Sequence, residues 1–210
     1  MKELIDNTDF DGIEAALAAH PELANVGLPY DQENTTLAHP LHRICDGVFN
    51  RKYKDADAVK MALIFLQHGA KVDGNELIVN QDSPLVAAAS LHADEAAILY
   101  IDRGAAVNHP GCHGGTALHW AAWCGRPKLV KKLIENGAEI NKLCHDFSST
   151  PLFWAIHGLK SDGQNDVAKY ITCVQLLLEA GADKNLPNAE GTSITEMLED
   201  NDFELKELLT

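Results

Sequence analysis

Positive charge is what this chain has least of. Its 17 Lys and Arg stand against 31 Asp and Glu, a formal net charge of −14. A surface that acidic repels phosphate backbones and anionic headgroups, which argues against nucleic acid and membrane surfaces as partners. The densest cationic run, Arg51, Lys52 and Lys54, is followed at once by Asp55 and Asp57. Aromatic residues are scarce too, at 6%, while Ala and Leu abound; that bias suits small, closely packed helices better than a β-sandwich. No apolar run is long enough to span a bilayer, and the first residues lack the apolar stretch of a signal peptide. The five cysteines are odd in number and without paired spacing, so reduced thiols and a cytoplasmic location are expected.

Reactive signatures are missing as well. The chain contains no G-x-x-x-x-G-K, G-x-S-x-G, H-E-x-x-H or C-x-x-C. Asn7-x-Asp9-x-Asp11-Gly12 opens like a calcium loop, but the position that must supply a bidentate Glu is Ala18. A helix start with Thr8 as its cap and acids in its first turn is the better reading. No catalytic residue, cofactor or metal is expected.

What is present is a period. Four blocks align without gaps: MALIFLQHGA ending at Ala70, AAILYIDRGA at Ala105, LVKKLIENGA at Ala138 and CVQLLLEAGA at Ala182. Each pairs helical apolar spacing with a Gly-Ala stop and an extended stub, KVD, AVN, EIN or DKN. Upstream of each lies a shorter helix signal: HPLHRIC from His39, SPLVAAA from Ser83, TALHWAA from Thr116 and TPLFWAI from Thr150. Ser or Thr caps the helix in three of them, and Pro fits the first turn, where no N–H partner is needed. Ser83 to Thr116 is 33 residues, and Thr116 to Thr150 is 34.

The unit Gly115-Thr116-Ala117-Leu118-His119, continued by Ala121-Ala122, Gly125 and Leu133-Ile134 through Gly137-Ala138 to Ile140-Asn141, resembles the ankyrin repeat family. The resemblance implies an all-α solenoid of stacked helix-turn-helix units with finger loops. It would form one domain over residues 1–210: a cap at 1–36, repeats at about 37–74, 75–108, 109–141 and 142–185, and a C-terminal cap at 186–210. Residues 8–26 are expected to form a helix pair, and 191–209 a start like a repeat with a truncated second helix. Two units carry surplus residues, in FNRKYKDAD and LKSDGQND, expected as surface loops on one edge of the stack.

In such repeats the inner helices and fingers line a groove. The resemblance places there Arg43 and Asp46, then Ala87, Ser90 and Leu91, then Trp120, Trp123 and Cys124, then Trp154 and His157, with His113 and His145 on the fingers. It also implies that His42 and His119 bridge backbone groups of neighbouring loops. All three tryptophans fall on one face of two adjacent units, the composition of a binding hot spot. The competing expectation is that the indoles pack on one another or beneath the fingers. A monomeric, non-catalytic module that binds another protein follows. The alternative is a small-ligand or metal-binding regulator using the Trp cluster and two finger sets: His109, Cys112 and His113, then Cys144, His145 and Asp146. Those spacings match no established zinc motif. Cys45 and Cys173 are expected in the core.

Overall fold

Each long helix block stops where a glycine turns left-handed. Gly69, Gly104, Gly137 and Gly181 have φ of +88°, +84°, +82° and +91°. A Cβ placed on any of them would meet nothing within 4 Å, so the backbone conformation, not crowding, demands glycine. The next N–H then returns to the helix: Ala70 to the Phe65 carbonyl at 2.9 Å, Ala138 to Leu133 at 3.0 Å. The stubs that follow stitch one unit to the next. Asn108 Nδ2 donates to the Gly137 carbonyl while its Oδ1 accepts from Glu139 N–H at 2.8 Å. Asn141 does the same with Gly181 and Asp183, and Asn25 with Gly69 and Lys71.

The computed structural model describes residues 1–29, 36–161, 166–200 and 202–209. They form two compact units, Met1–Ile78 with Asp82–Ala106, and Val79–Gln81 with Val107–Thr210. The first holds α1 (Lys2–Asp6), α2 (Phe10–Ala19), a 3-10 turn (Pro21–Asn25), α3 (Pro40–Phe49), α4 (Asp55–Gln67), α5 (Pro84–Ser90) and α6 (Asp94–Asp102). Strand β1 (Leu28–Pro29) pairs antiparallel with β2 (Leu37–Ala38). Helix α3 packs on α5, and α4 packs on both α2 and α6, burying Ile13, Ile44, Met61, Phe65, Leu85 and Tyr100 completely. The second unit holds α7 (Ala117–Trp123), α8 (Pro127–Glu135), α9 (Pro151–Ser161), α10 (Val167–Glu179) and α11 (Phe203–Leu209). There α7 packs on α9 and α8 on α10, around Leu118, Leu129, Leu133, Leu152, Val174 and Leu177.

Several sequence expectations are corrected. Asp9, not Thr8, caps α2, accepting from Gly12 N–H at 2.9 Å; Thr8 has φ +52° and donates to the Asn7 carbonyl. The expected helix pair at 8–26 is one helix and a 3-10 turn. At the other end the start resembling a repeat shrinks to a 3-10 turn (Thr195–Met197) before α11. The two surpluses are not simply loops. Inner helices α3 and α9 have 10 and 11 residues against 7 in α5 and α7, so part of each surplus lengthens a helix. What remains of the first is pinned: Tyr53 folds over Gly47 and donates to the Ile44 carbonyl at 2.8 Å. In the second surplus, residues 162–165 lie outside the described residues.

Helices α7 and α9 approach closely. A Cβ on Gly158 would run into the carbonyl of Trp123, a backbone atom that cannot swing away. Alanine in a helix interior normally gains about 1 kcal/mol over glycine. Here Gly158→Ala should instead lower stability by about 1–3 kcal/mol, as overpacked cores do. A urea melt showing a gain would mean that the two helices are not in contact at this point.

Candidate functional site

The fingers of the second unit lie side by side because their backbones bond to one another. His145 and Asp146 N–H groups both donate to the His113 carbonyl, at 3.0 and 3.2 Å, and Ala189 N–H donates to Phe147 at 2.8 Å. Beneath the first two, His119 ties helix to finger. Thr116 N–H donates to its Nδ1 at 3.1 Å, so the ring proton sits on Nε2, which reaches the Lys142 and Ser149 carbonyls at 3.1 and 3.2 Å. The ring is fully buried. Desolvation outweighs those carbonyls and takes its pKa down from 6.5 to about 4.

On the edge of His119 stands Trp154, ring centres 5.2 Å apart at 74°. Trp120 and Trp123 meet Trp154 nearly at right angles, at 5.0 Å and 87° and at 5.8 Å and 70°. His157 stacks on Trp123 at 5.0 Å, and Phe147 meets Trp154 at 6.3 Å. All of these rings but His119 line an open cleft of about 440 Å³, together with His113, Asp146, Asn188 and Glu190. Asp146 Oδ2 accepts from His113 Nδ1 at 2.8 Å and Oδ1 from His145 Nδ1 at 3.1 Å, which holds its carboxyl below the usual range. The Trp120 Nε1 is buried and finds no hydrogen-bond partner.

A family model for ankyrin repeats in three copies matches residues 48–144, and a single ankyrin repeat model matches 148–189. The chain belongs to the ankyrin repeat family. It is 39% identical over 93 residues to palmitoyltransferase ZDHHC13 of Mus musculus, and 36% identical over 93 residues to palmitoyltransferase ZDHHC17 of Danio rerio. Palmitoyltransferase Hip14 of Drosophila melanogaster is 32% identical over 93 residues. In each case the match takes in 44% of this chain and 13% of the relative's length. Ankyrin repeats generally bind other proteins. Among the described residues no helix is long and apolar enough to cross a membrane.

Of the residues the ankyrin resemblance placed in a groove, Trp120, Trp123, Trp154, His157 and His113 line this one cleft. Trp154 needs correction, because it is 5% exposed and forms the floor rather than an open contact. His145 is exposed and orients Asp146; Cys124 is half-buried at the end of α7 and does not line the cleft. Phe147 and the stretch Asn188–Glu190 were not expected. An exposed Phe in an otherwise polar finger was the available signal.

In the first ankyrin unit, Arg43 is a further correction. It is 4% exposed and its Nη2 donates to Asp6 Oδ1 at 2.5 Å, with Lys52 on the other oxygen at 2.9 Å. Burial works to raise the Asp6 carboxyl, but Lys52 and Arg43 outweigh it and hold it low. The group ties α1 to α3, and burial keeps Arg43 out of a partner's direct reach. Ala87 is wholly buried, another correction. Ser90 is half-buried and donates to the Ala87 carbonyl at 3.1 Å; Leu91 is half-buried too. Asp46 is half-buried, and desolvation raises its carboxyl pKa.

Of the finger residues, His113 and His145 meet on Asp146, while His109 and Cys144 are engaged elsewhere. No group of three His, Cys, Asp or Glu suited to a metal occurs among the described residues. His109 is turned to the Gln81 carbonyl at 2.8 Å, and Cys144 is buried, accepting from Ser149 N–H. Cys45 and Cys173 are in the core.

Two outcomes follow. Trp154→Ala should cost about 3–5 kcal/mol, as loss of a buried aromatic does; a melt unchanged from wild type would put that ring at the surface. His119 stays neutral when folded and takes a proton at 6.5 when unfolded, so the unfolded state binds more protons between those values. Stability should therefore fall as pH drops from 6.5 toward 4, by up to about 1.4 kcal/mol per pH unit from this residue. His119→Gln should reduce the slope of that part of the stability profile, leaving what His39, also lowered to about 4 by burial, contributes.

Proposed function

We propose that this chain is a non-catalytic module that holds another protein, with the aromatic cleft of the second unit as its contact surface. The observation that carries this reading is the cleft itself, with Trp120, Trp123 and Phe147 partly exposed around the nearly buried Trp154. Clustered Trp is the composition of interface hot spots, and an open apolar patch of this kind marks a binding site more often than a stability feature. Among the described residues no cysteine lines the cleft, and Ser149 Oγ donates to the Phe147 carbonyl, not to a base. A monomer working in the cytoplasm fits the acidic surface and the reduced thiols.

The cleft's volume also falls in the range of small-molecule pockets, which favours a small-ligand regulator as the second reading. Native mass spectrometry of the purified chain would show such a ligand as an added mass.

A photo-crosslinking residue at position 157 should capture the partner, and titration with that partner then tests the reading. Trp123→Ala should weaken binding by about 2 kcal/mol or more while leaving the circular dichroism unchanged. Wild-type affinity in that variant would remove the cleft from the interface.

A further inference from the structure

This inference rests on the binding-module reading and concerns what enters the cleft. We propose that the partner is anchored by an alkylammonium head, the side chain of a lysine in an extended basic segment, seated against the indole faces between Asp146 and Glu190. Three observations converge on that chemistry.

The rings supply the first. Trp120 and Trp123 pack on Trp154 at 87° and 70°, and all three border the same cleft, so rings of different orientation bound one space. The faces of indoles carry the negative end of the ring quadrupole, and tryptophan attracts cations best. Rings at different angles around one cleft, with one face of Trp123 already covered by His157, suit a rounded ammonium better than a flat group that needs a parallel stack.

Charge supplies the second. Asp146 and Glu190 both line the cleft, and among the described residues no Lys or Arg does. The chain's net charge of −14 draws a basic segment toward it from a distance. The carboxyl of Asp146 stays ionised because His113 and His145 donate to it.

Those same two bonds supply the third. Both oxygens of Asp146 are already engaged, one by each imidazole, so the group offers charge but not the free two-oxygen edge that guanidinium recognition uses. Lysine asks for a point charge and an apolar bed for its methylenes, which the exposed Phe147 and Ala189 provide.

The test uses the full chain and three capped peptides of the form acetyl-Gly-X-Gly-amide. X is lysine, Nε-trimethyl-lysine, or the neutral isostere with a tert-butyl group in place of trimethylammonium. Binding is followed by the indole N–H shifts of the cleft tryptophans at pH 8. Both charged peptides should shift the cleft indoles, and the neutral isostere should bind about tenfold more weakly. Trp123→Ala should abolish the charged peptides' effect, and Asp146→Asn should weaken it severalfold, with neither changing helix content. Equal binding of the isostere, or no indole shift with any of the three, overturns the ammonium anchor. If that happens while Trp123→Ala still weakens binding of the partner captured at position 157, the binding module stands with an apolar anchor instead.

Discussion

The second unit depends on how closely α9 can lie against α7. Gly158 is the residue that permits it, because any side chain there would strike the Trp123 carbonyl. With the helices that near, the indole of Trp154 is forced between Trp120, Trp123 and His119 and becomes nearly buried. The cleft is therefore not a surface ornament on a finished solenoid. Its floor belongs to the same packing that holds two repeats together, which makes the aromatic walls stiff before anything binds. Stiff aromatic anchors lose little conformational entropy on association.

A second layer of constraint comes from polar groups that cannot be left unpaired inside. His119 satisfies carbonyls of the next finger, the stub asparagines satisfy the last carbonyl of the next helix end, and finger backbones bond to their neighbours. Asp73, standing where the other stubs carry Asn, can only accept, and it takes Ala106 N–H at 2.8 Å. These links hold Asp146 and Phe147 beside Trp154. In the first unit the Asp6 group does comparable work, turning a cation that the repeat pattern places in a groove into a buried tie between helices.

The fold was legible because its signals are local and repeated. Gly-Ala stops, Ser or Thr caps and Pro in the first turn each act within a few residues, so reading them needs no tertiary knowledge. The site was legible only in part. Helical spacing put Trp120, Trp123 and Trp154 on one face, but it says nothing of which ring ends up underneath. That is decided by the gap Gly158 opens, a contact 35 residues from Trp123 in sequence. Arg43 was misplaced for a related reason: its partner Asp6 sits on α1, a helix the repeat pattern does not contain. Phe147 and Glu190 reach the cleft through finger geometry, which composition does not encode.

The central claim is that a rigid aromatic cleft has Trp154 as its floor and Trp120 and Trp123 as its reachable walls. Labelling the three tryptophans with 5-fluorotryptophan, assigning each resonance by single substitution, and adding a soluble paramagnetic quencher tests this directly. The Trp123 and Trp120 signals should broaden while Trp154 stays sharp. Broadening of Trp154 equal to that of Trp123 would contradict the account, because the floor would then be open and the cleft not formed by helix packing.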